Sequence, residues 1–305
     1  MERREIEKLI GLPLSELVWL ANKVRRDYLG AKIDLCSIMN AKSGACNQDC
    51  KFCAQSSRYK TGAPVYPLKD IEEIVERARI AKEIGADRFD IVTSGDSLSD
   101  AELKRVCAAI HEITTKVGIR MCASLGSMDE KRLIALKEAG LTRYHHNIET
   151  SPNFFPKIVT THSFQDRIRT IKLAKKIGLE VCSGGIIGMG ETMRDRIDMA
   201  LILKDLDVDS VPINVLVAIK GTPLERQNPL SSAEAIRTIA LFRIILKDKI
   251  IKIAAGRESV LKDFQAMTFM AGANGMLIGG YLTIKGREVC EDHKLIQEIK
   301  ELWRQ

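Results

Sequence analysis

Short apolar runs alternate along the whole chain with longer stretches in which apolar positions recur every three or four residues. The short runs, at residues 33–39, 88–93, 119–124, 143–148, 180–185, 210–216, 250–255 and 276–278, have the length and composition of buried strands. Between and after them, residues 71–84, 100–117, 129–139, 164–177, 193–206, 232–246, 260–270 and 289–303 read as amphipathic helices. Ile71, Ile74, Ile80 and Ile84 show the spacing. Gly85, Gly118, Gly140 and Gly178 each follow a predicted helix, where a left-handed residue closes the last turn. Eight strand–helix units predict a (β/α)8 barrel of the α/β class, whereas a doubly wound open sheet is usually built on about six strands. Residues 1–30 predict an N-terminal helical extension, and residues 31–305 the barrel with its C-terminal helix. No Pro-, Ser- or Gly-rich linker divides the two.

Composition agrees with this picture. Of 305 residues, 45% are hydrophobic and 29% charged, which excludes bulk disorder and allows a sizeable core. No apolar run reaches membrane-spanning length. The opening MERREIEKLIGLP lacks the apolar centre of a secretory signal, so a cytoplasmic location is expected. Lys and Arg exceed Asp and Glu by 47 − 40 = 7, but they are scattered among acidic residues and aromatics are only 5%. That is a set of solvated helix faces with some preference for an anionic small ligand, and no nucleic-acid footprint.

Eight cysteines are too few for a disulfide scaffold in a chain this long, so their spacing points to metal or catalysis. Cys46, Cys50 and Cys53 form C-x3-C-x2-C in the loop after the first strand, at the end of a barrel where active sites collect. Three thiolates are soft donors for iron or zinc and leave a tetrahedral site one ligand short. No fourth Cys or His follows at zinc-motif spacing. On spacing alone an iron–sulfur cluster, a zinc ion and unliganded thiols all remain open. Cys107 and Cys290 fall in helical stretches and read as packing or surface thiols.

The same cysteines, with Phe52 before the third, resemble the signature of the radical S-adenosylmethionine superfamily. The segments SGACNQDCKFCAQSSRYKTG, HHNIETSPNFFPKIVTTHSFQDR, VCSGGIIGMGET, VPINVLVAIKGTPL, AAGRE and FMAGAN, in that order, are similar to those of the biotin synthases. The resemblance spans roughly residues 33 to 295. It implies a 4Fe–4S cluster on Cys46, Cys50 and Cys53, whose remaining iron takes the amine and carboxylate of S-adenosylmethionine. It further implies backbone contacts to the methionyl amine at Ser94 and Gly95, and Arg167 on the carboxylate. Asn147 and Glu149 would hold the ribose, and backbone near Ile186 the adenine. Asn214, with His145 and Asn147, would meet the substrate, dethiobiotin. His145 stands where the family commonly has Asn, and Glu149 where it often has Asp.

The family's second cluster is commonly 2Fe–2S, held by cysteines on strands 2, 3 and 5 and an arginine on strand 7. Here Cys122, Cys182 and Arg257 match, the strand-2 position is Asp90, and strand 1 carries an additional Cys36. Neighbouring strands lie about 5 Å apart, so a thiolate lost from one can be regained on the next. The expected auxiliary set is therefore Cys36, Cys122 and Cys182, binding 2Fe–2S or a larger cluster. Arg257 would serve as ligand or supporting donor, and Asp90 as a weak oxygen ligand or Arg257's partner. Cys36 as a small buried hydrophobe is the alternative. The resemblance implies a flavodoxin- or ferredoxin-type electron donor and a homodimer. Competing functions are another radical enzyme on this scaffold, of hydrogenase-maturase or methylornithine-synthase type, and a non-catalytic iron–sulfur protein.

Overall fold

Nine strands, every pair of them parallel, wrap into one closed sheet in the computed structural model, which describes residues 3–282 and 286–304. Residues 1, 2, 283–285 and 305 of the two expected segments lie outside the described residues. The strands are β1 (Asp34–Lys42), β2 (Arg88–Thr93), β3 (Arg120–Ser124), β4 (Arg143–His145), β5 (Glu180–Cys182), β6 (Gly185–Ile187), β7 (Ser210–Val215), β8 (Ile250–Ile253) and β9 (Gly275–Leu277). Neighbours run β5-β4-β3-β2-β1-β9-β8-β7-β6, and β5 also pairs with β7. β5 and β6 thus occupy one position, interrupted at Ser183 and Gly184, and the ring has eight positions. It is the expected (β/α)8 barrel.

Alternation along each strand decides what fills the barrel. Leu35, Phe89, Ile91, Met121, Tyr144 and Val181 point outward into the apolar layer beneath the helices. Their neighbours Cys36, Asp90, Cys122, Cys182 and Lys252 point inward and line a cavity. The hydrophobic core is therefore the annulus between strands and helices, and the interior keeps a cavity in which these thiols and charged groups sit among apolar residues such as Ile38, Val92 and Ile186. At its lower end two ionic groups close it. Lys252 Nζ lies 2.6 Å from Asp34 Oδ1, and Glu180 receives Arg88 Nη2 at 2.6 Å and Arg143 Nε at 2.9 Å.

The helices α1 (Arg3–Ile10) and α2 (Leu14–Leu29) precede the barrel and pack on it, burying Ile6, Leu17 and Ala21. Arg237 donates to the carbonyls of Ile10 and Leu12 at 3.0 and 2.8 Å, which fixes the bend between them. The outer ring is α3 (Ile71–Glu83), α4 (Asp100–Glu112), α5 (Glu130–Glu138), the short α6 (Phe155–Ile158), α7 (Phe164–Lys176), α8 (Met193–Asp205), α9 (Ser232–Leu246), the short α10 (Gln265–Met270) and α11 (Val289–Arg304). Ser99, Ser163 and Thr192 begin α4, α7 and α8 with reciprocal capping boxes. No helix among the described residues is long and apolar enough to cross a membrane.

Three expected elements are shorter than their periodicity suggests. The 100–117 helix ends at Glu112 and continues as a π-turn, because Thr114 and Thr115 return their hydroxyls to the carbonyls of Ile110 and His111. The 260–270 helix survives only as α10, since Lys262 takes a left-handed φ of 46° that no regular helix accepts. β4 stops at His145, and the chain beyond it bends to a left-handed Glu149 at φ 66°.

Arg243 ties the far end of the ring. It is fully buried and donates to the carbonyls of Gly272, Lys247 and Lys249 and to Asn274 Oδ1, all between 2.6 and 2.8 Å. Burial, and then Arg25, lower its pKa to about 9. Arg243→Met keeps much of the volume but strips two buried acceptors, the Gly272 carbonyl and Asn274 Oδ1, and two partly buried carbonyls of their donor. We expect a loss of about 2–4 kcal/mol in denaturant unfolding.

Candidate active site: two thiol sets on adjoining cavities

The 43–69 loop after β1 carries Cys46, Cys50 and Cys53 and is pinned at both ends. Ser43 and Tyr66 exchange backbone hydrogen bonds at 3.1 Å, and Gln55 Oε1 accepts from Ser43 Oγ and the Gly44 amide. The Cys46 amide donates to the Gln55 carbonyl, and the Cys46 carbonyl accepts from the Ser57 amide at 2.7 Å. Asp49 reaches across to the segment after α6. Its carboxylate accepts from the Thr160 and Thr161 amides at 2.9 and 3.2 Å and from both hydroxyls. The loop is thus fixed rather than draped over the surface, and Cys50 is buried. Burial pushes the Cys50 thiol up to about 12, against the pull of Arg167.

All three thiols face a cavity of about 210 Å³. Among the described residues no three Cys, His, Asp or Glu side chains converge as a single-ion shell requires. Thiols spread around a cavity suit a cluster, which takes one thiolate per iron. The opposite wall carries Ser94, Gly95, Asn147, Glu149 and Arg167, so the structure brings these expected contacts together. Arg167 donates Nε to His162 at 3.1 Å and Nη1 to the Asn147 carbonyl at 3.0 Å. Glu149 is buried beside it, 3.8 Å from Nη1, with Asn147 Nδ2 at 3.4 Å. Burial raises the Glu149 carboxyl while Arg167, His145 and Asn147 oppose the rise.

Several of these residues also brace the barrel. Ser94 donates its hydroxyl to the Gly44 carbonyl at 2.7 Å and its amide to Lys42. Asn147 Oδ1 accepts from the Gly184 amide at 3.0 Å. Ile186 spends its amide on the Glu149 carbonyl at 2.9 Å. Asn214 bridges strands, accepting from the Ala255 amide at 3.1 Å and donating to the Gly185 carbonyl at 3.3 Å. Each of its amide groups retains one further bonding direction.

A second cavity of about 410 Å³ lies deeper in the barrel, lined by Cys36, Cys122 and Cys182 together with Asp90, Asn214 and Lys252. Phe52, Cys53, Val92, His145, Asn147 and Glu149 line both cavities, so the two adjoin. His145 faces this boundary, while His146 stacks against Tyr144 with centroids 6.4 Å apart. Cys36 is on the same inner face as Cys122 and Cys182. Burial pushes Cys36 up to about 12 and Cys122 well above its ordinary value. Asp90, held by Ser124 Oγ at 3.0 Å, is raised to about 6, chiefly by burial.

Arg257 is a correction. The expectation made it an auxiliary-cluster ligand, but it does not line the deep cavity. β8 ends at Ile253, and Gly256, with φ 82°, turns the chain outward before Arg257. Its guanidinium meets Asp292 Oδ2 at 2.7 Å, Tyr281 Oη at 2.8 Å and Gln265, so it anchors α11. Asp90 is correspondingly not its partner. The cation that β8, the seventh position of the ring, turns toward the thiols is Lys252, which the sequence reading missed. A lone lysine in IIKIAA, on the inward alternation with Ala254, is the signal that finds it.

Comparison with known proteins agrees with this geometry. The radical SAM superfamily profile matches residues 41–203, and that of the biotin and thiamin synthesis associated domain residues 212–300. A biotin synthase of Thermotoga petrophila is 53% identical over 301 residues, covering 98% of this chain and 99% of its own. One from Pelotomaculum thermopropionicum is 48% identical, covering 94% and 89%. The chain belongs to the biotin synthase family. Like other biotin synthases it is a radical SAM protein, and membership implies a 4Fe–4S cluster and S-adenosylmethionine. Among solved structures, methylornithine synthase superposes with a TM-score of 0.83 at 21% identity, covering 98% of this chain and 92% of its own. The hydrogenase maturase HydG of Carboxydothermus hydrogenoformans does so at 0.82 and 19%, covering 98% and 74%. Those likenesses establish the fold. The second profile covers the last strands of the same closed barrel.

Gly185 marks how tightly this family site is built. A Cβ there would fall 2.2 Å from the Glu149 carbonyl oxygen. Gly185→Ala must push β6 away from Glu149, at a cost of about 1–3 kcal/mol. We expect a lower denaturation midpoint together with weaker S-adenosylmethionine binding by anaerobic calorimetry.

Proposed function

We propose that the chain catalyses the biotin synthase reaction, inserting sulfur between the C6 methylene and C9 methyl carbons of dethiobiotin. The observation that carries this reading is the pair of thiol sets on two adjoining cavities, one in the β1 loop and one deep in the barrel. A radical enzyme that only rearranges its substrate needs the first set; a sulfur-inserting one needs both.

The residues present fit the groups the family implies. Cys46, Cys50 and Cys53 offer soft donors on one wall of the upper cavity and leave the opposite side open to Glu149 and Arg167. Cys36, Cys122 and Cys182 offer three more in the lower cavity. Beneath them Arg143 Nη1 and Arg88 Nε are buried with no hydrogen-bond partner. Neither lines the cavity, but Lys252 does, and a buried cation on its wall suits a site meant to hold an anionic group.

When bound, the first cluster and S-adenosylmethionine supply a 5′-deoxyadenosyl radical that takes hydrogen from unactivated carbon, and the auxiliary cluster supplies sulfur. The chain's own work is placement. Arg167 keeps Nη2 for the cofactor carboxylate, with Nε and Nη1 occupied by His162 and Asn147. Asn147 and Arg167 steady Glu149, whose carboxylate is offered to the ribose hydroxyls. Phe52, Val92, Ile186, Leu216 and Val217 give the lower cavity apolar walls that exclude water from a reactive radical. Asn214 and His145 face the space where the ureido ring of dethiobiotin would lie. A flavodoxin- or ferredoxin-type donor and a homodimer complete the reading, on the strength of the full-length family match.

Anaerobic reconstitution with iron and sulfide, followed by reductant, S-adenosylmethionine and dethiobiotin, tests it. Biotin is the expected product; 5′-deoxyadenosine without biotin refutes sulfur insertion. Cys50→Ala should abolish 5′-deoxyadenosine formation while circular dichroism still reports a folded barrel. Cys36→Ser should leave that cleavage intact but lower auxiliary iron, labile sulfide and biotin yield together. Full auxiliary iron in Cys36→Ser would return Cys36 to the role of a small core residue.

A further inference from the structure

The lower end of the barrel interior is where the chain spends its buried charge. Lys252 projects inward from β8, with its side chain only 2% exposed, and lines the same cavity as Cys36, Cys122 and Cys182. Its path is cut to shape. Gly275, its register partner on β9, has no side chain because a Cβ there would fall 2.7 Å from Lys252 Cγ. Asp34 on β1 then takes the ammonium at 2.6 Å. Asp34 and Cys36 share the inward face of β1, two residues apart, so one strand supplies both a thiol and the anchor for the cation beside it.

The surrounding charges make Lys252 more than a filled space. Arg88 and Arg143 are the other buried cations of this layer, and Glu180 serves both of them. Asp34 is then the carboxylate left for Lys252. Three buried cations face Asp34 and Glu180, and Glu180 keeps 44% of its side chain exposed, so the positive charge of this layer is only partly offset beneath the thiols. Asp90 lines the same cavity as Lys252 and the thiols and accepts from Ser124 Oγ at 3.0 Å.

We propose that Lys252 is the cationic partner of the auxiliary cluster and that Asp34 is the residue that positions it. This rests on the reading of Cys36, Cys122 and Cys182 as that cluster's ligands. Lys252, on the cavity wall with the thiols, would donate to the cluster when it is bound, and Asp34 holds the ammonium while withdrawing part of its field. The two residues therefore act on the cluster with opposite sign. Removing the lysine charge makes the cluster harder to reduce, and removing the aspartate charge makes it easier.

The test is a redox titration of the reconstituted holoenzyme, followed by optical and EPR spectra. The auxiliary signal is identified as the one that does not respond to added S-adenosylmethionine. Lys252→Met should move that potential to more negative values, Lys252→Arg should leave it near wild type, and Asp34→Asn should move it to more positive values. The radical-cluster signal should stay unmoved in all three. Loss of auxiliary iron in Lys252→Met with retention in Lys252→Arg supports the proposal equally, since only the charge is restored. Unmoved potentials with full iron overturn it. So do shifts of Lys252→Met and Asp34→Asn in the same direction, or loss of auxiliary iron in both lysine variants, which would make shape and not charge the requirement. If wild-type protein assembles no auxiliary cluster, it is the underlying reading of the thiols that fails.

Discussion

Charge enclosed in a ring of strands has to be paired before the ring can close around it. In most barrels of this type the interior is packed with branched apolar side chains. Here the lowest layer is ionic, with Asp34 on Lys252 and Glu180 shared between Arg88 and Arg143. That plug closes one end without filling the other. The space above it stays open as the deep cavity, and hydrophobic stabilisation falls to the layer between strands and helices, where Phe89, Met121, Tyr144 and Val181 are fully buried. Cavity and stability are thereby separated into different shells of one fold.

The same separation governs the upper cavity. Its polar wall is assembled from residues that already hold strands together: Ser94 binds β1 to β2, Asn147 secures the start of the β6 segment, and Asn214 links β6 to β8. Such residues have few rotamers left to lose when a ligand arrives, and preorganisation of that kind lowers the cost of binding. Glu149 is the exception, since its left-handed backbone stores strain beside the site, held by the amide of Ile186 and the side chain of Arg167.

The strands were readable because both kinds of signal agreed: short apolar runs and a thirty-residue rhythm leave few alternatives to a barrel. Helix ends were less readable. Thr114 and Thr115 look helical by periodicity, and only their hydroxyl bonds reveal the change of turn. The cysteine loop stood out by its spacing, but what it holds was narrowed only by the family resemblance. Arg257 was misplaced because a motif fixes order along the chain but not the direction of a side chain. Four residues past the last inward strand position, Gly256 had already turned the chain away. Lys252 obeyed the simpler rule of alternation. The hold of Asp49 on Thr160 and Thr161 was beyond any local reading, because it joins loops 111 residues apart.

That long-range hold has an engineering consequence. The cysteine loop looks like a portable cassette, a self-contained stretch bounded by the Ser43–Tyr66 pairing. It is not self-supporting, because Asp49 and the Lys51 amide both lean on the segment after β4, through Thr160, Thr161 and the Ile158 carbonyl. Transplanted alone onto another barrel, it would leave a carboxylate without its donors and would lose the bracing that sets the spread of the three sulfurs. The transferable unit is two loops, the one after β1 and the one after β4, moved as a pair.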